Sequence, residues 1–276
     1  MSTEVMTLVL LGALLHASWN AIVKSGGDKL SEAGLIAAGA SVVAACFLPF
    51  LPLPASACVP WLIASVCIHQ VYYVLVASAY RAGDMGHAYP LMRGAAPLLV
   101  AMASAPLLGE TLTTMAWLGV ALICSGVLLL ALHRHAPRRA TMLALSNAFV
   151  IALYTIVDGS GARASGNAVS FVVWLTFVSG MPLTAWLLWR NAERFTATVR
   201  GRGLSGLIGG ACSVASYGLA LWAMTRAPLA SVAALRETSV LFAVAISTFV
   251  LREVTGTRRI IAAVLVVGGA AALRLA

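Results

Sequence analysis

YPLMRGAAPLLVAMASAPLLGE (89–110) and LASVAALRETSVLFAVAISTFVLRE (229–253) decide how this chain is read. Both are apolar along their length, and each carries one internal arginine, Arg93 and Arg236. The two arginines lie 143 positions apart, as do Glu110 and Glu253, which close the segments. An arginine at membrane depth costs about 2.5–3.5 kcal/mol on insertion scales. Meeting that cost twice, in register, implies an internal repeat with a charged site at its seam.

The rest of the chain supports a bilayer setting. It is 276 residues long, 61% hydrophobic and only 10% charged, with a mean hydropathy of +0.95. Soluble domains carry about 25% charged residues. An all-α integral membrane protein is therefore expected. A spanning helix needs about 20 apolar residues, which gives ten spans: 4–24, 31–51, 58–80, 85–108, 112–132, 139–159, 167–189, 203–225, 228–251 and 256–274. The apolar stretch Val5 to Leu15 has no basic flank and no A-x-A site, so it reads as part of a first helix rather than a cleaved signal. The formal charge of +9 does not point to nucleic acid, because no basic run alternates with aromatics and membrane proteins collect Lys and Arg in cytoplasmic loops. Cys46, Cys58, Cys67, Cys124 and Cys212 lie in or beside apolar stretches without a CxxC, and read as packing residues.

Of the Lys and Arg residues, 13 fall in the odd-numbered gaps, 3 on the other face and 2 inside spans. The positive-inside rule then puts both termini outside the cytoplasm. AIVKSGG (21–27) echoes TIVDGSG (155–161), and Tyr72 matches Tyr217. The halves divide as 1–135 and 136–276, five spans each. An odd number of spans forces the second half to insert upside down. Inverted repeats of this kind place a substrate near the midplane, around a central cavity.

Candidate site residues follow from that frame. Tyr89-Pro90 and Arg93-Gly94-x-x-Pro97 make span 4 a candidate for a broken helix, since proline removes a hydrogen bond and clashes with the preceding turn. Arg93 and Arg236 each precede their span centre by about 4–5 Å, so inversion sets them on opposite sides of the midplane, where they bracket a small anion. Glu237 has three roles open to it: neutralising an arginine in a structural pair, contacting a substrate amine, or carrying a proton. In span 1, His16, Trp19 and Asn20 lie at helical spacing and combine an aromatic with hydrogen-bonding groups; His16 is the second candidate for proton coupling. Tyr72 and Tyr217 are expected to face the cavity. Lys24 and Asp158 fall near span ends and read as capping or anchoring residues, as do Glu110 and Glu253. Gly206-x-x-x-Gly210 marks close helix packing within the chain. With no Walker loop, HExxH or acidic cluster, no enzyme activity, metal or cofactor is expected.

HASWNAIVK (16–24), YPLMRGAAP (89–97), LYTIVDGSGAR (153–163) and ALRETSV (234–240) resemble the drug/metabolite transporter superfamily, EamA type. The resemblance runs over essentially the whole chain. It implies a monomeric basket of ten helices in a bacterial plasma membrane, with spans 1, 3, 4, 6, 8 and 9 around the cavity. It also implies export or exchange of small metabolites such as amino acids, without ATP. Ten-span relatives tend to keep both termini in the cytoplasm, against the charge count, which is kept here. The leading expectation is a secondary transporter of a small anionic or zwitterionic metabolite. The alternative is a lipid-carrier flippase or a membrane enzyme acting on a lipid phosphate.

Overall fold

The computed structural model describes residues 1–132, 136–246, 248 and 256–276, with Lys29 described by its backbone alone. Glu253, Arg134, Arg252 and the end of the ninth expected span lie outside the described residues. The described regular structure is helical: α1 Thr3–Ser25, α2 Lys29–Phe47, α3 Val59–Ala82, α4 Met85–Leu108, α5 Thr114–Leu130, α6 Arg138–Ala164, α7 Ala168–Met224, α8 Leu229–Arg236, α9 Ser239–Ala245 and α10 Thr257–Leu275, with short 3-10 turns between α2 and α3.

Local sequence sets these limits. Ser2, Asp84, Thr113 and Asn167 cap α1, α4, α5 and α7, each accepting from a free N–H of the first turn. Gly109 ends α4 in the left-handed region at φ 67°, where glycine has no Cβ to strain. Among the described residues, six helical stretches are long and apolar enough to cross a membrane: Thr3–Ser25, Leu30–Phe50, Ser56–Ala82, Met85–Leu108, Arg138–Ala164 and Ala168–Met224. Their outer faces are greasy; Phe50 and Trp189 are each 83% exposed. Apolar surface on this scale calls for lipid around it, and the protein is a multi-pass membrane protein. At 57 residues α7 is too long for one crossing. Non-helical backbone at Asn191 and Arg202 divides it into apolar arms joined by a polar stretch, 192–201.

Two departures from the sequence reading concern the site. α4 runs through Pro90, Pro97 and Pro106 as one helix. The break falls instead in the other half, between α8 and α9 at Glu237 and Thr238. There the backbone bonds shorten to three-residue turns, with Glu237 N–H to Ala234 O, Thr238 N–H to Leu235 O, and Leu241 N–H to Thr238 O. Tightened turns of this kind inside a helical run mark hinges and functional sites.

Helix packing relies on glycine. A Cβ on Gly119 of α5 would lie 2.9 Å from the Gly269 carbonyl oxygen of α10, and one on Gly126 would lie 2.8 Å from the Ala262 carbonyl oxygen. As one chain number rises the other falls, so α5 and α10 cross antiparallel. Gly206 and Gly210 abut Leu35 and Ala40 of α2, which places the GxxxG contact inside the chain as expected. Gly119→Ala is expected to destabilise by about 1–3 kcal/mol through overpacking. Gly268→Ala, with open space at the new Cβ, is expected to melt with the wild type. Thermal unfolding in detergent compares them.

Contacts between the connecting segments fall into three sets. In one, Glu110 pairs with Arg163 at 2.5 Å, Arg163 donates to the Met224 and Ala227 carbonyls, and Ala55 N–H donates to Ser165 O. In a second, Arg194 pairs with Asp28 at 3.2 Å and Arg202 pairs with Glu32 at 3.0 Å. In a third, His87 bridges Ala131 O and the Thr141 hydroxyl. Glu110 also accepts from Leu229 N–H at 2.9 Å, capping α8, in keeping with the orienting role read from sequence. Glu110→Ala is expected to lose about 1–2 kcal/mol with the cap, read as a lower melting temperature.

Candidate functional site

α4 carries Arg93 and the α8–α9 break carries Glu237, and the two side chains meet. Arg93 Nε donates to Glu237 Oε2 at 3.0 Å, and Nη2 sits 2.9 Å from Oε1 without hydrogen-bond alignment. Both residues are buried, at 8% and 4% exposure. Of the three roles open to Glu237, the structure displays the ion pair. A guanidinium and carboxylate withdrawn from water together offset each other's desolvation only through such contact.

Arg236 is placed differently. It is half-buried, and its guanidinium lies over the Tyr217 ring at 5.2 Å. Among the described residues it makes no ion pair. Between the two arginines lies a cavity of about 10 Å³, lined by Arg93, Pro97, Tyr154, Thr155, Arg236 and Glu237, among others. That is space for about one water. The seam is charged, and His16, Tyr72, Tyr89, Tyr217 and Arg236 beside it are only half-buried.

Around the cavity stands an aromatic wall. Tyr154 of α6 stacks on His69 at 4.5 Å and meets Tyr72 edge-on at 5.7 Å. Tyr217 donates its hydroxyl hydrogen to Asp158 Oδ2. Tyr89, one turn before Arg93, and Tyr72 lie within electrostatic reach of both arginines. So does His16, which meets Trp19 edge-on at 5.0 Å. Asn20 turns back on its own helix, its amide donating to His16 O at 2.8 Å. The structure thus gathers Arg93, Arg236, Glu237, Tyr72, Tyr89, Tyr217 and His16, sets Trp19 against His16, and engages Asn20 locally.

Asp158 corrects the sequence reading. It is not at a helix end: α6 continues to Ala164, and Asp158 is fully buried. Tyr154 and Thr155 were missed as cavity residues. The spacing of Tyr154 and Asp158, four apart on one helix face, was the available signal.

An apolar helical bundle around a charged seam has the form of a membrane protein that moves small molecules. The chain belongs to the EamA-like transporter family, whose family model matches residues 138–275; that family is part of the drug/metabolite transporter superfamily. Among solved structures, a chain described only as the crystal structure of a protein shares the fold. It superposes with a TM-score of 0.74 at 17% identity, covering 100% of this chain and 98% of its own length. No curated protein matches.

Proposed function

We propose that this protein is a secondary transporter, an exporter or exchanger, that moves a small polar, anionic or zwitterionic metabolite by alternating access. The observation that carries this reading is the seam itself. Two arginines and a carboxylate from α4 and the α8–α9 break converge beside half-buried aromatic side chains that can meet an organic solute. Alternating access requires the helices around that point to move. The shortened turns at Glu237 and Thr238 supply a place for that movement. Arg236, without a carboxylate partner among the described residues, is the first anion contact; Arg93 joins when its pair with Glu237 opens. Tyr72, Tyr89, Tyr217, Trp19 and Asn20 shape the pocket, with His16 and Glu237 as proton-coupling candidates.

The architecture we propose is ten spans in a 5+5 inverted repeat divided at 135/136. Three observations favour it. The family match covers the second half alone. Gly119–Gly269 and Gly126–Ala262 are the same contact viewed from each half, since 119 and 126 map to 262 and 269 at the 143-residue offset. The cited contacts between connecting segments join odd-numbered gaps to odd and even-numbered gaps to even, the pairing that ten crossings call for. We place the protein as a monomer in a bacterial plasma membrane with both termini outside, on the charge count. A thermal-shift screen of purified protein against amino acids and small carboxylates tests the function, since a ligand of the native state raises its apparent stability. A hit should then show counterflow in proteoliposomes; binding without any flux would overturn the transport reading.

A further inference from the structure

Asp158 is a buried acid that the proposed site does not use. Its Oδ2 accepts from Tyr217, and its Oδ1 has no hydrogen-bond partner among the described residues. The groups facing it come from its own helix and three others. Tyr154 precedes it by one turn on α6, Ser65 and His69 face it from α3, Tyr217 from α7 and Arg236 from α8. His69 Nδ1 is engaged with Ser65, 3.1 Å from its hydroxyl and 2.9 Å from its carbonyl oxygen. Arg236 lies over the Tyr217 ring rather than against the carboxylate. The carboxylate is thus fully buried, with one oxygen held by Tyr217 and no ion pair among the described residues.

We propose that Asp158 is a proton-binding site in this arrangement of the helices, and that its proton leaves when Arg236 swings from the Tyr217 ring onto the carboxylate. Tyr217 touches both groups, its hydroxyl on one and its ring under the other, so the swing spans one phenol. The O–H bond of the acid breaks, the proton passes to water on the open side, and the new carboxylate pairs with the guanidinium. Charge counting gives the consequence. Glu237 neutralises Arg93. With Asp158 protonated, Arg236 is a single unmatched cation that can hold one anionic group. With Asp158 ionised, Arg236 is taken. Proton and anion therefore bind together, and the coupling is co-transport of the two rather than exchange. This last step rests on the transport reading; the proton site does not.

Infrared spectroscopy of purified protein across a pH series, with no substrate present, tests the site without testing transport. The wild type is expected to show the carbonyl band of a protonated carboxylic acid, lost as pH rises. Asp158→Asn should lack that band. Arg236→Gln should keep it to higher pH, because the ionised form has lost its cation. Tyr217→Phe should shift its frequency by deleting the hydrogen bond at Oδ2. The proposal is overturned if the band survives in Asp158→Asn, or if Arg236→Gln titrates like the wild type. Should Asp158→Asn fail to fold, an unmoved band in Tyr217→Phe overturns the assignment instead.

Discussion

Glu237→Gln is expected to destabilise the protein by about 3–5 kcal/mol, the usual penalty for leaving one member of a buried ion pair without its partner. Arg93 is anchored on a helix buried on several sides, and its Nε and Nη2 both address the Glu237 carboxylate. An amide keeps the shape and loses the charge, so Arg93 is left as an isolated cation in an apolar bundle. Arg93→Gln with Glu237→Gln removes both charges and is expected to recover much of the loss. Melting temperatures of the two single variants and the double variant form a cycle that reads the coupling. A double variant no more stable than the sum of its singles predicts would refute the ion pair as the main tie between α4 and the α8–α9 break.

Arg236→Ala is expected to do the reverse, leaving stability almost intact and abolishing ligand recognition. Its contact with Tyr217 is a cation–π interaction of about 0.5–2 kcal/mol, so little structure is lost. Removing one member of a desolvated charge contact with a ligand costs about 2–5 kcal/mol, a weakening of roughly 30-fold or more. Metabolites that raise the melting temperature of the wild type should leave Arg236→Ala unmoved at the same concentration. If the variant responds like the wild type, Arg236 does not contact the ligand. The two arginines look equivalent in sequence, and these experiments are expected to separate them: one is chiefly a tie, the other chiefly a binding group.

That inequality was not legible in the chain. Composition and periodicity suffice to place the apolar helices, and intramembrane charge is rare enough to single out Arg93, Arg236 and Glu237. What they could not supply is which groups meet. Arg93 and Glu237 are separated by 144 positions, and no local pattern pairs residues at that distance. Pro90 and Pro97 pointed to a break in α4. A proline removes one N–H, and the lost bond is a small defect in a helix supported on several sides, so the helix continues. At Glu237 and Thr238 no proline or glycine announces the interruption. Asp158 was misplaced for a related reason: a Gly- and Ser-rich run resembles a loop, yet the small residues let α6 pack closely, with Gly159 against Leu229 and Gly161 against Phe171.

The crossing of α5 and α10 has a kinematic consequence. Under the proposed repeat, the Gly119–Gly269 contact exchanges with Gly126–Ala262, and the pair as a whole maps onto itself. A contact with that property lies on the axis of rotation. When two halves swap conformations, everything away from the axis trades places, while what lies on it keeps its neighbours. The small residues of α5 and α10 would then form an axle, tight because nothing there has to move. It also ties together the histories of the two copies: a bulky residue at Gly119 would press on Gly269 in the other half, so a change in either copy would call for an answer in its twin.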